Sequence, residues 1–160
     1  MEDILPPQTE SGAGFELTRV RQFTVFLENR VGRLQGLFRA FEESAGRVCA
    51  LSIQESADSA LIRIICAEPD LGREALKQGG FAFGESELLA VELPKRTKQP
   101  LAAICTALLA AEISIHYAYS LQHQRGHGPA VALAVEDPTL AARLLIKKGF
   151  TILGESDLRK

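Results

Sequence analysis

Gly80-Phe81, followed by Gly84-Glu85-Ser86-Glu87-Leu88, returns near the end of the chain as Gly149-Phe150, followed by Gly154-Glu155-Ser156-Asp157-Leu158. Phe81 to Phe150 is a step of 69 residues and Leu88 to Leu158 a step of 70. That period is too long for a short solenoid repeat and suits two small domains. A feature present in both copies serves the common fold, whereas a feature present in one is a candidate for a site.

Working outward, the same order of elements is legible in each half. Phe23, Val25 and Leu27 alternate within residues 22–28 as on a half-buried strand, and Asn29-Arg30-Val31-Gly32 ends it. Leu34, Leu37, Phe38 and Phe41 fall at i, i+3, i+4 and i+7, one apolar face of a helix that Gly46 can end. Residues 48–53 and 60–66 read as strands joined by a polar hairpin. Residues 69–77 read as a second helix, entered at Pro69 and closed by Gly79-Gly80, and 81–83 start another strand. The second half repeats this with a strand at 88–93, a helical stripe of Leu101, Ile104, Cys105 and Leu108, and strands at 113–121 and 131–135. Asp137-Pro138 then opens a helix with Leu140, Ala141, Leu144 and Leu145 inward, and a last strand covers 150–153. Leu34 to Leu101 and Phe38 to Cys105 are both steps of 67, which places Cys105 in the core.

A repeated split βαβ pattern predicts an α+β fold, two ferredoxin-like βαββαβ units in tandem, each an antiparallel sheet with helices on one face. The opposite face, with Thr24 and Phe26, is left for a partner or a stacked lobe. Expected boundaries are a flexible tail over residues 1–18, a first unit over 19–87 and a second over 88–160, with almost no linker.

The 160-residue chain is 46% hydrophobic with a formal net charge of −2. It is a globular composition with no global attraction for nucleic acid or an anionic membrane. Cys49, Cys66 and Cys105 sit in apolar runs without metal-ligand spacing, which predicts buried free thiols in a reducing cytoplasm. No apolar stretch approaches the ~20 residues of a membrane span, and the first residues lack the basic start and apolar core of a signal peptide. A soluble cytoplasmic protein without cofactor or metal is expected. No serine–histidine–acid set, paired carboxylates or phosphate-binding loop is present, so no catalytic residues are assigned and no enzyme is expected.

The feature that belongs to one copy is Glu28-Asn29-Arg30-Val31-Gly32-Arg33-Leu34, a strand end running into a helix start. N–H groups left over at a helix N-terminus favour an anion. Gly32 lets a ligand approach the backbone, and the helix dipole adds ~0.3–1 kcal/mol for a carboxylate. A strand ending in Glu-Asn-Arg-x-Gly-x-Leu resembles the ACT domain, an amino-acid-sensing regulatory module. Residues 21–158 resemble small stand-alone proteins of two ACT units lying side by side in one extended sheet. The resemblance implies a non-catalytic sensor, expected as a homodimer, that binds a free amino acid at a lobe or subunit interface. Its implied ligand-binding residues are Asn29, Val31, Gly32, Arg33 and Leu34, with Arg30 in the same turn and Ser52 on the next strand. The matching turn of the second copy, Pro94-Lys95-Arg96-Thr97-Lys98-Gln99-Pro100-Leu101, is longer, lacks glycine and loses an N–H at Pro100. One competent site per chain is therefore expected, with Lys95, Arg96 and Lys98 a solvated basic loop.

Other readings stay open. An adaptor could bind a protein through an exposed sheet edge. Gly32-Arg33-Leu34-Gln35-Gly36-Leu37-Phe38-Arg39 is similar to the phosphate-cradling turn of acylphosphatases, but is one residue short before Phe-Arg, which turns Arg39 by about 100°. Residues 48–54 also hold no asparagine to position a water. Gly80-Phe81-Ala82-Phe83 resembles the aromatic core of an RNA-recognition motif, yet follows the second helix and has no basic residue before it. His123 and His127 fall in a glycine-flanked hairpin with no third metal ligand nearby. His116 lies opposite the apolar set of its strand, and Tyr117 and Tyr119 can line the gap between lobes with hydroxyls at the rim.

Overall fold

The computed structural model describes residues 18–28, 31–44, 46–122 and 128–159. Asn29, Arg30, His123, His127 and all but the last residue of the expected tail lie outside them. Alternation along β1 (Val20–Glu28) sends Phe23, Val25 and Leu27 to one face. There α1 (Arg33–Glu43) covers them with Leu37 and Phe41, and α2 (Pro69–Gln78) with Leu76. β2 (Val48–Glu55) and β3 (Ser59–Cys66) extend this antiparallel layer, with Phe23 opposite Ile64 and Thr24 opposite Arg63. In the second half α3 (Pro100–Ala110) and α4 (Pro138–Lys147) cover β4 (Ala82–Glu92), β5 (Ile115–Leu121) and β6 (Ala130–Val135). The chain is thus α+β, two βαββαβ units in tandem.

The units share a strand. β4 runs without a break, pairing residues 82–88 with β1 and 89–92 with β6. The strands expected at 81–83 and 88–93 are one. The sheet order is β2-β3-β1-β4-β6-β5, with β7 (Ile152–Leu153) also on β4.

The sheet is not flat. It curls until its two ends meet, the Gln122 N–H donating to the Cys49 carbonyl at 2.6 Å between the ends of β5 and β2. The faces without helices are thereby turned towards each other. They enclose a third core that holds Val20, Ala50, Ile65, Leu88, Leu121 and Leu153 among others. β6 shows how sequence permits this: Ala130, Ala132 and Ala134 point into the shared core while Val131 and Leu133 point to the helices. Small side chains let two sheet faces approach closely. The expectation of a stacked lobe on the second face is met within one chain, and that of one extended sheet is replaced by a sheet closed on itself. Phe26 alone of the large apolar residues on that face of β1 stays 54% exposed, at the open rim.

Three inward assignments are corrected. α3 turns Ile104, Ala107 and Leu108 to the sheet, which leaves Cys105 only half-buried and Leu101 exposed. In α4 the Asp137 carboxylate accepts the Leu140 N–H at 2.9 Å, and the inward set becomes Ala141, Ala142 and Leu145 with Leu140 outside. Cys49 and Cys66 are buried free thiols as expected.

The repeated pentapeptide adopts two conformations. Gly84 to Leu88 lies in β4, whereas Gly154 to Leu158 turns into the helical α5 (Glu155–Leu158). Leu153 pairs with Ala90, and the next places along that edge of β4 are taken by β1, whose Val20 faces Leu88. With no free edge the chain turns away. The Gly154 N–H donates to the Asp157 carboxylate at 2.8 Å, and Leu158 drops fully buried into the shared core.

Candidate functional site

Gly32 precedes α1 with φ 86°, the left-handed region, and a Cβ there would meet nothing within 4 Å. It has no side chain to cap the helix, no acid lies in the first turn, and the first helical bond is Gly36 N–H to the Gly32 carbonyl at 2.9 Å. Val31 is fully exposed beside it. Arg33, the first helical residue, sets its guanidinium 5.1 Å from the centre of the Phe81 ring, and Leu34 packs part-buried on the lobe core. Val31, Gly32, Arg33 and Leu34 therefore form one corner, open to solvent. It continues into a shallow groove along α1 lined by Leu34, Gln35, Phe38, Arg39 and Glu42. Ser52 is elsewhere: it pairs with Arg63, which pairs with Thr24, on the sheet face opposite α1.

The other helix starts differ. α2 carries Asp70 in its first turn, α4 is capped by Asp137, and α3 begins at Pro100, which has no N–H to offer. The second turn keeps one feature of the first by another route. Arg96 places its guanidinium 5.5 Å from the Phe150 ring centre and donates to the Lys148 and Gly149 carbonyls, each at 3.2 Å. Arg96 is thus anchored at the end of α4 rather than simply solvated. The Gly-Phe repeat is explained as well: Gly80 and Gly149 leave helices with φ 68° and 86°, and each following phenylalanine seats an arginine. Phe81 and Phe83 pack on the first lobe's core, Phe83 edge-on to Phe23 at 5.9 Å.

A second polar cluster lies between the lobes. Gln22 is the fully buried polar residue of the described core. Its amide donates to the Tyr117 hydroxyl at 2.9 Å and to the Ser86 hydroxyl at 3.1 Å, while the Tyr119 hydroxyl donates to its carbonyl oxygen at 2.6 Å. Arg63 stacks over Tyr117 at 4.0 Å. Burial, with Tyr117 adding to it, pushes the Tyr119 phenol up, and burial takes the Cys66 thiol up to about 12. The tyrosines stand between the lobes, but not on the face that the alternation gave them: a bulge between Ile115 and Tyr117 leaves Ile113 and Ile115 towards the helices and turns Tyr117, Tyr119 and Leu121 into the shared core, with both hydroxyls bonded to buried Gln22 rather than at the rim. Gln22 and Arg63 carried no signal, because each is one polar letter on a strand face whose partner the sequence does not specify.

Among the described residues no group of acids, histidines and cysteines is placed to hold a metal ion, and no helix is long and apolar enough to cross a membrane. Duplicated ferredoxin-like units around a shared strand, with a strand-to-helix corner that starts at a left-handed glycine, define the class of fold as a paired α+β domain. The profile of the ACT domain pair matches residues 18–160, and the chain belongs to that family. Membership carries a regulatory, ligand-binding role in general terms. The fold is similar to that of a Bacteroides thetaiotaomicron protein at 28% identity and a TM-score of 0.78, covering 89% of this chain and 97% of that one. It is also similar to the ligand-free regulatory subunit of aspartate kinase from Thermus thermophilus, at 13% identity and a TM-score of 0.53, covering 82% and 93%. No curated protein matches.

Proposed function

We propose that this protein is a non-catalytic cytoplasmic sensor that binds a free amino acid at the corner formed by Val31, Gly32, Arg33 and Leu34, with Asn29 and Arg30 alongside. The observation that carries this reading is the start of α1, an exposed left-handed glycine with no capping side chain and no first-turn acid. A ligand carboxylate accepting those N–H groups gains from hydrogen bonds and from the helix dipole. The signal is a population shift, because a ligand moves an equilibrium only by its differential affinity for the two states.

Thermal unfolding of the full chain against each common amino acid at millimolar concentration tests this. A ligand at 100 times its Kd adds about 2.7 kcal/mol of stability. Gly32→Val keeps the space but strains the backbone by about 1–2 kcal/mol, and is expected to remove the shift while leaving the fold. No shift with any amino acid overturns the sensor. It would favour an adaptor instead, for which Leu51 and Ile53, exposed on β2, are the supporting observation.

A further inference from the structure

The two copies place a helix over the same part of their sheets, yet the outward faces of α1 and α3 differ in kind. At the common step of 67, Gln35, Arg39, Glu42 and Glu43 correspond to Ala102, Thr106, Leu109 and Ala110. α1 is an amphipathic helix with a charged outside. α3, PLAAICTALLA, has no charged residue on any face, and Leu101 and Leu109 stand 51% and 60% exposed. A helix that is apolar all round is one that is buried. The internal core does not demand it, since α1 meets the same need with charges outside.

The pattern on α3 is symmetric about its midpoint. Leu101 and Leu109 lie four residues before and after Cys105, and the exposed Lys98 and Glu112 lie seven residues before and after it. Four residues bring a helix back to nearly the same face, so both leucines flank Cys105 on one stripe. Neither Lys98 nor Glu112 has an ion-pair partner among the described residues. When such a helix crosses a copy of itself antiparallel at Cys105, Leu101 meets the other chain's Leu109, and the basic end meets the acidic end. The helix dipoles also oppose.

We propose that α3 is the interface for a second copy of this chain, two α3 helices packing antiparallel about a two-fold axis at Cys105. The occupant is a second copy because the face is complementary to itself in both apolar spacing and end charge. The proposal is independent of the amino-acid site, which lies on the other lobe, and its test uses no ligand.

The test is the concentration dependence of molar mass of the full chain, by light scattering, for wild type, Leu109→Glu, Lys98→Glu, Glu112→Lys and the double charge reversal, with circular dichroism confirming the fold of each. Wild type is expected to be a dimer. Leu109→Glu weakens the dimer at least tenfold. Each single charge reversal weakens it about threefold, and the double reversal restores it, because positions 98 and 112 of facing chains then carry opposite charges again. A wild type monomeric at 100 times the protein concentration of a routine assay overturns the proposal. So does a Leu109→Glu dimer of unchanged affinity, or a double reversal no tighter than the singles.

Discussion

Gln22 ties the lobes together at the scale of one residue. Two tyrosine hydroxyls and one serine depend on an amide that is itself out of reach of water. A buried polar group left without its partner costs about 1–3 kcal/mol, so Gln22→Met, which keeps the volume and strands two phenols, is expected to cost about 2–4 kcal/mol in denaturant unfolding. Tyr119→Phe removes one hydroxyl and is expected to cost about 1 kcal/mol. Equal losses for the two variants would show that the network does not centre on Gln22. Tyr119 also sets a pH dependence. Its phenol is raised in the fold by burial, so the folded chain holds this proton more tightly than the unfolded one. That contribution is fully present below the unfolded value of 10.0 and is lost as pH rises above it. Stability should fall as pH rises above the unfolded value of 10.0, and fall less in Tyr119→Phe; identical slopes would refute the assignment.

Elements show where a repeat stops predicting structure. Gly-Glu-Ser-Glu-Leu is strand within β4 and Gly-Glu-Ser-Asp-Leu a helical turn, because the edge of β4 that the second would follow on from β7 is already filled by β1. Local sequence cannot report that occupancy. The two glycines should therefore respond differently to the same change. A Cβ at Gly154 would overlap the Thr18 methyl carbon, and Gly154→Ala is expected to cost about 1–3 kcal/mol by overpacking. A Cβ at Gly84 meets nothing within 4 Å, and Gly84→Ala should lie within about 1 kcal/mol of wild type. Similar costs at both sites would contradict the different environments. The helices were legible from their stripes and proline starts. Their rotation was not, because Ala142 and Leu140 compete for the inward position on α4, and hydrophobicity favours the residue that the Asp137 cap turns outward.

At the scale of the whole molecule, the duplicated order and fold class followed from periodicity, and closure of the sheet did not. The backbone bond between the ends of β5 and β2, from Gln122 to Cys49, joins residues far apart in sequence. Its one trace was the alternation of alanine with valine and leucine in β6, which marks which face meets another sheet. The candidate corner was legible because a glycine between strand and helix has a local cause. The inter-lobe cluster was not, since Gln22 and Arg63 gain meaning only when the faces meet. The two turns are inequivalent for a local reason: one starts a helix at an open glycine, and the other is bridged by Arg96 to the end of α4 and starts its helix at Pro100. The most direct measurement is calorimetric titration of the full chain with each common amino acid. Saturable binding of one or a few of them at one molecule per chain is expected. Two equal sites per chain, or no binding by any amino acid, would contradict it.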